Sequence, residues 1–74
     1  MINMELPEKI KHWAVDSVAE CLPVSKETCA RLWNCLSKIP GALDNRTELY
    51  QVWSWLSDKE RTDIINAFEA NAPP

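Results

Sequence analysis

The sequence predicts an all-α fold: a compact single domain over residues 1–74, built as a bundle or orthogonal array of about four short helices. Apolar residues recur at three- and four-residue spacings in four segments, which is the pattern of helices that bury one face. Typical start and stop residues flank these segments. Apolar and polar residues do not alternate along any stretch as they would in a half-buried strand, so we expect no β-sheet.

The first two helices are expected at about residues 7–21 and 26–38. Pro7 suits the first position of a helix, where the missing N–H has no helical partner to lose. Ser25 is a typical N-cap for the second helix, and Pro40 marks its end. A short turn should therefore join two amphipathic helices.

The third helix is expected at about residues 46–56. Asn45 and Glu48 have the spacing of a reciprocal N-terminal cap. Trp53 and Trp55 stand two residues apart, and in an α-helix their side chains would leave the axis about 200° apart. We therefore expect Trp53 to lie in the core and Trp55 to be at least partly exposed.

The fourth helix is expected at about residues 58–70. Ser57 and Glu60 have the spacing of a capping box, in which each side chain accepts a hydrogen bond from the backbone of the other residue. Residues 71–74, which include two prolines, are expected to form a frayed tail.

The charge of the chain is unevenly distributed. The net charge is −3, and residues 1–40 carry five acidic and five basic residues. Residues 41–74 carry six acidic and three basic residues, so the whole acidic excess lies in this half. Such a distribution argues against extensive phosphate binding there.

The cysteines indicate a reduced, cytoplasmic protein. Cys21, Cys29 and Cys35 form an odd set without a Cys-x-x-Cys pair, and we identify neither a secretory leader nor a long apolar run. Together with His12 their spacing does not match a structural zinc site. We therefore expect no metal and no membrane association.

The sequence lacks the usual features of an active site. Gly41 is the only glycine, so a glycine-rich phosphate loop is excluded, and His12 is the only histidine. His12 lies among charged residues at helical spacing, which is typical of a solvated side chain. We expect a protein that is not an enzyme, with no cofactor and no small-molecule substrate.

Helix 3 carries the strongest signal for a protein interface. Aromatic side chains are expected on both flanks of its buried stripe, and acidic and amide side chains lie beside them. The candidate interface residues are Trp55, Tyr50, Glu48, Gln51 and Asp58. An exposed aromatic anchor with a polar rim is typical of a protein-binding surface. Alternatively, helix 3 is central in the bundle, and its buried apolar surface is wide enough to include the aromatic residues on its flanks.

The segment VAECLPVSKETCARLW, Val18 to Trp33, resembles the helix-turn-helix of the lac repressor family, with the match carried by residues 18–31. Ala19 would allow two helices to approach closely, and Val24 would fill their junction. The resemblance implies that the outward residues of the second helix contact DNA, namely Ser25, Lys26, Glu27, Ala30, Arg31 and Asn34.

Two functions therefore remain open. The first is a small accessory or inhibitor-type protein that binds another protein, or itself as a homodimer, through an aromatic and acidic helical surface. Small proteins of phages and mobile elements provide the analogy. The alternative is a helix-turn-helix DNA-binding regulator.

Overall fold

A computed structural model describes residues 5–42 and 45–70 and confirms the all-α class. This part of the chain contains four α-helices and a 3₁₀ turn, with an isolated bridge between Ala14 and Glu48 in place of a sheet. The elements are α1 (Val15–Cys21), α2 (Lys26–Lys38), α3 (Leu49–Val52), the 3₁₀ turn (Trp53–Trp55) and α4 (Asp58–Ala70).

The first helix is shorter than predicted. Instead of one helix over residues 7–21, hydrogen-bonded turns precede an α1 that begins at Val15. The backbone before α1 bonds to a distant part of the chain: Val15 N donates to Thr47 O at 2.9 Å, and Leu49 N donates to Trp13 O at 2.8 Å. These long-range bonds take the place of helical i→i−4 bonds, so tertiary contacts override the local helical pattern.

The third helix is also shorter than the predicted range 46–56, and its cap differs. Helix α3 has one turn and continues directly into the 3₁₀ turn. Its capping box pairs Glu48 with Gln51, where the Gln51 side chain accepts from Glu48 N at 2.7 Å. Asn45 instead donates to Gly41 O at 3.4 Å within the preceding loop. The predicted Asn45–Glu48 cap is therefore wrong.

Helices α2 and α4 match their predicted ranges. Ser25 Oγ accepts a hydrogen bond from Thr28 N at 3.2 Å and so caps α2. The capping box of α4 is present in both directions: Ser57 N donates to Glu60 Oε1 at 2.8 Å, and Glu60 N donates to Ser57 Oγ at 3.2 Å. Among the described residues, no helix has the length and apolar character needed to cross a membrane.

One hydrophobic core joins all the elements. Helix α1 packs on α2, α2 packs on α4, and α3 with its 3₁₀ turn completes the core. Fully buried side chains from every α-helix meet there: Val15, Val18, Leu32, Leu49, Val52 and Ile64. Trp53 is 8% exposed, which confirms it as a core residue.

Removal of the α4 cap should produce a measurable loss of stability. Ser57→Ala deletes the hydroxyl that satisfies Glu60 N, and we expect the free energy of unfolding to fall by about 1 kcal/mol. Urea titration monitored by circular dichroism measures this. Ser54→Ala, at an exposed position in the 3₁₀ turn, is the matched control. Equal losses from the two variants would contradict the capping role of Ser57.

Candidate functional site

The described residues expose four large aromatic side chains. Trp13 is 41% exposed, Trp33 38%, Tyr50 51% and Trp55 44%. Trp13 rests edge-on against Phe68, with ring centroids 5.1 Å apart. The sequence predicted the outward direction of Trp55 and Tyr50. Its helical spacing grouped Trp13 and Trp33 with the inward apolar residues of the first two predicted helices, which is wrong, since both side chains are exposed.

The 3₁₀ turn separates the two neighbouring tryptophans. With three residues per turn, two positions give about 240° of rotation, so these side chains point about 120° apart around the axis. Trp53 points into the core, and Trp55 points to the solvent. The expected contrast between them is therefore present, although it arises from a 3₁₀ turn and not from an α-helix.

An arginine of α2 holds the end of this turn. Arg31 Nη2 donates to Trp55 O at 2.8 Å, although the two residues are 24 positions apart in the chain. Arg31 Nε also lies 3.8 Å from Glu60 Oε1, the oxygen that accepts from Ser57 N. One network therefore links α2, the 3₁₀ turn and the first turn of α4.

A second arginine holds the start of the turn. Arg61 Nε donates to Trp53 O at 3.0 Å, and its guanidinium lies 5.9 Å from the centre of the Trp53 ring. Arg61 Nη1 also reaches Asp58 Oδ1 at 3.5 Å. The carbonyls at both ends of the turn thus accept from guanidinium groups of neighbouring helices.

The five predicted interface residues fall into two groups according to their contacts. Tyr50, Glu48 and Gln51 lie at the start of α3 with His12, whose Nδ1 donates to Glu48 Oε2 at 2.7 Å. The rings of His12 and Tyr50 meet edge-to-face, with centroids 5.8 Å apart. Because Glu48 and Gln51 also form the α3 capping box, the Glu48 carboxylate and Gln51 Oε1 are already engaged.

The other two predicted interface residues lie at the opposite end of this segment. Trp55 contacts Arg31 through its carbonyl, and Asp58 pairs with Arg61. The Asp58 side chain is 78% exposed, so its carboxylate is accessible to solvent. Asp58 is close to Trp55 in the sequence. Of the two groups, the one at Trp55 combines a large exposed indole with a fixed backbone.

The predicted DNA-contacting residues lie on α2 and at its N-cap. Of these residues, Lys26, Glu27, Ala30 and Asn34 are exposed on α2, and Ser25 precedes them as the N-cap. Helix α4 contacts this face, since Glu27 Oε2 lies 3.4 Å from Lys59 Nζ. Arg31 points towards Trp55 and Glu60, so its guanidinium is already used within the protein.

Comparisons with known proteins identify no relative. No protein-family model, curated protein or solved structure matches this chain.

Asp63 joins α4 to the start of α2. Its Oδ2 accepts from Ser25 N at 2.8 Å, next to the positive end of the α2 dipole. Burial alone would raise the pKa of Asp63, but hydrogen bonds from Ser25 and Thr28 and the charge of Lys59 outweigh burial and lower that pKa. The ionised carboxylate therefore stabilises the contact between the two helices.

The stability contributed by Asp63 should disappear in acid. Because its pKa is lower in the folded state than the usual value of about 3.9, the ionised form favours folding above that value, and the contribution is lost as the pH falls through the folded pKa. Wild type should be more stable than Asp63→Asn at pH about 6, and the difference should vanish in strong acid. Urea titrations across this range test the prediction. A difference that does not change with pH would contradict it.

The buried cysteine Cys35 is not poised to react as a nucleophile. All three are free thiols, and Cys35 is buried. Burial raises the pKa of the Cys35 thiol, which Glu60 also favours, and these effects outweigh the charges of Arg31 and Lys38. Cys35 is therefore held as the protonated thiol, which is a poor nucleophile. Within residues 5–42 and 45–70, no cluster of His, Cys, Asp or Glu could hold a metal ion.

Proposed function

We propose that this chain is a non-enzymatic accessory or inhibitor-type protein that binds another protein through the surface around Trp55. The exposure of Trp55 carries the proposal. Its side chain is 44% exposed, whereas Trp53 two residues earlier is 8% exposed. An indole that is held outward by a fixed turn resembles the aromatic anchors that dominate binding energy at protein interfaces.

The chemistry beside Trp55 supports a particular kind of partner. Asp58 is largely exposed, and the half of the chain from residue 41 carries six acidic and three basic residues. The surface at Trp55 carries charges of both signs, since Arg31 binds Trp55 O and Asp58 pairs with Arg61, so a partner with an apolar pocket for the indole and a polar rim would complement it.

The proposal places the protein in the cytoplasm and assigns it no catalytic step. Three free thiols fit a reducing compartment. His12 is exposed and bonded to the Glu48 carboxylate, which also belongs to the α3 capping box, and Cys35 is a buried thiol.

Comparative affinity capture tests this function. Wild type, Trp55→Ala and Trp33→Ala are immobilised and exposed to an extract of the source cells, and bound proteins are quantified by mass spectrometry. Trp33 has a similar exposure on another helix, so its variant controls for nonspecific adhesion to aromatic surfaces. We expect at least one protein that binds wild type and Trp33→Ala but not Trp55→Ala, and that also binds when purified. Identical sets of bound proteins on wild type and Trp55→Ala would contradict the proposal.

A DNA-binding regulator is the second candidate. The arrangement of α1 and α2 and the exposed Lys26 and Asn34 favour it. Three features oppose it: Arg31 is bonded to Trp55 O, Glu27 adds negative charge to the exposed face, and Asp63 occupies the start of α2. Phosphate contacts need surplus positive charge, which this face lacks.

Duplex DNA should therefore bind weakly. We expect little affinity for mixed-sequence duplex at about 150 mM salt, because few phosphates could be neutralised. Fluorescence anisotropy at low and physiological salt measures this, with Lys26→Ala and Arg31→Ala as the test variants. Tight, sequence-dependent binding at physiological salt, reduced by Lys26→Ala in a folded protein, would reverse the order of the two functions.

A further inference from the structure

We infer that Arg31 is a positioning residue that fixes the 3₁₀ turn so that Trp55 is presented to the partner. This inference rests on the proposed function of Trp55. It gives Arg31 a role different from the DNA contact that the helix-turn-helix resemblance implies. The side chain reaches from α2 across to the turn and donates to Trp55 O at 2.8 Å.

The turn needs such a donor because its carbonyls have few helical partners. The last carbonyls of a helix lack intrahelical N–H donors and are satisfied by water or by side chains. Trp53 O accepts from Leu56 N at 3.2 Å and from Arg61 Nε. At Trp55 O the donor from the protein is Arg31, so loss of its guanidinium would leave this end of the turn to water.

The guanidinium is itself held in place. The Arg31 side chain is 37% exposed, and that of Glu60 only 13% exposed, with 3.8 Å between Arg31 Nε and Glu60 Oε1. Glu60 is fixed by the capping box with Ser57. Arg31 can therefore direct one N–H to Trp55 O while it faces a carboxylate that does not move freely, a geometry that suits the planar fork of arginine.

This arrangement predicts a preorganised Trp55. The bond fixes the backbone at Trp55, and a turn that is ordered before binding loses less conformational entropy when the partner covers it, so affinity increases without an added contact. Arg31 would then affect binding without touching the partner.

Order at Trp55 in the free protein tests the inference without a partner. Arg31→Met removes the donors but keeps an apolar chain that can pack on the same surface, and Lys26→Ala is the control on the same helix. From ¹⁵N relaxation we expect the backbone order parameter of Trp55 to fall from about 0.85 to about 0.6 or below in Arg31→Met. Arg31→Lys, which keeps one donor group, should restore part of the order, and Lys26→Ala should not change it.

Two readouts separate positioning from a general structural role. Amide hydrogen exchange in the centres of α2 and α4 should be unchanged in Arg31→Met, because their core residues remain packed. Loss of protection of the core amides together with Trp55 in Arg31→Met would overturn the inference. An unchanged order parameter at Trp55 in this variant would also overturn it.

The binding measurement distinguishes this inference from the proposed function. With the purified partner selected by capture, Arg31→Met should weaken binding about tenfold and Arg31→Lys less. If Trp55→Ala binds like wild type, the proposed function fails whatever Arg31 does. If Trp55→Ala loses binding but Arg31→Met does not, the function stands and the positioning role is overturned.

Discussion

Trp53→Ala should lower the free energy of unfolding by about 3–5 kcal/mol, the largest effect we expect from a single substitution. The side chain is 8% exposed in a core shared with Leu49 and Leu56. Its removal leaves a cavity and takes away the ring over which the Arg61 guanidinium lies. A domain of this size has a free energy of unfolding of only about 3–5 kcal/mol, so a large fraction of the variant should be unfolded at room temperature.

Urea titration followed by circular dichroism measures this loss, and two variants provide the comparison. Trp53→Phe keeps an aromatic ring in the core and should be destabilised much less. Trp33→Ala removes a tryptophan of the same size that is 38% exposed, so less buried area is lost. Equal destabilisation by Trp53→Ala and Trp33→Ala would contradict the central position of Trp53.

The sequence predicted helices best where the caps are local. Helices α2 and α4 begin after Ser25 and Ser57, whose hydroxyls bond to backbone N–H groups three residues later. Both the donor and the acceptor of such a cap lie within one turn, so a short window of sequence contains the whole interaction. Their predicted ranges agree with the structure for this reason.

The prediction failed where distant segments compete for the same backbone groups. Trp13 O accepts from Leu49 N, and Thr47 O accepts from Val15 N, so a helix over residues 7–21 would lose these bonds. The cap of α3 was misplaced for a related reason: Glu48 faces Gln51 and His12 instead of Asn45. Spacing along the chain does not show which of two capping partners tertiary contacts will select.

Of the candidate site, only the outward orientation of the Trp55 side chain could be predicted from the sequence. The two-residue separation of Trp53 and Trp55 was enough to predict that one would be buried and the other exposed, since both helical geometries point them apart. The Arg31 bond to Trp55 O joins residues 24 positions apart, and no local pattern encodes it. The sequence of α2 alone does not show how α4 packs on it, so the contacts of Glu27 with Lys59 and of Arg31 with Trp55 could not be predicted.

Trp55→Ala should leave the fold intact and weaken partner binding by about 2 kcal/mol or more, which is about 30-fold in Kd. The side chain is 44% exposed in the free protein, so its removal leaves little cavity, and the backbone bond from Arg31 to Trp55 O does not depend on the indole. A partner that covers the indole would gain most of its apolar contact there.

Isothermal titration calorimetry with the captured partner gives the change in Kd, and circular dichroism confirms that the variant remains folded. Trp33→Ala is the control, because it removes a comparably exposed indole from α2. Acrylamide quenching of variants that retain one tryptophan provides an independent check on the free monomer, in which Trp55 should be quenched more readily than Trp53. If Trp55 were as protected as Trp53, it would be a second core residue, and the argument that it anchors a partner would lose its basis.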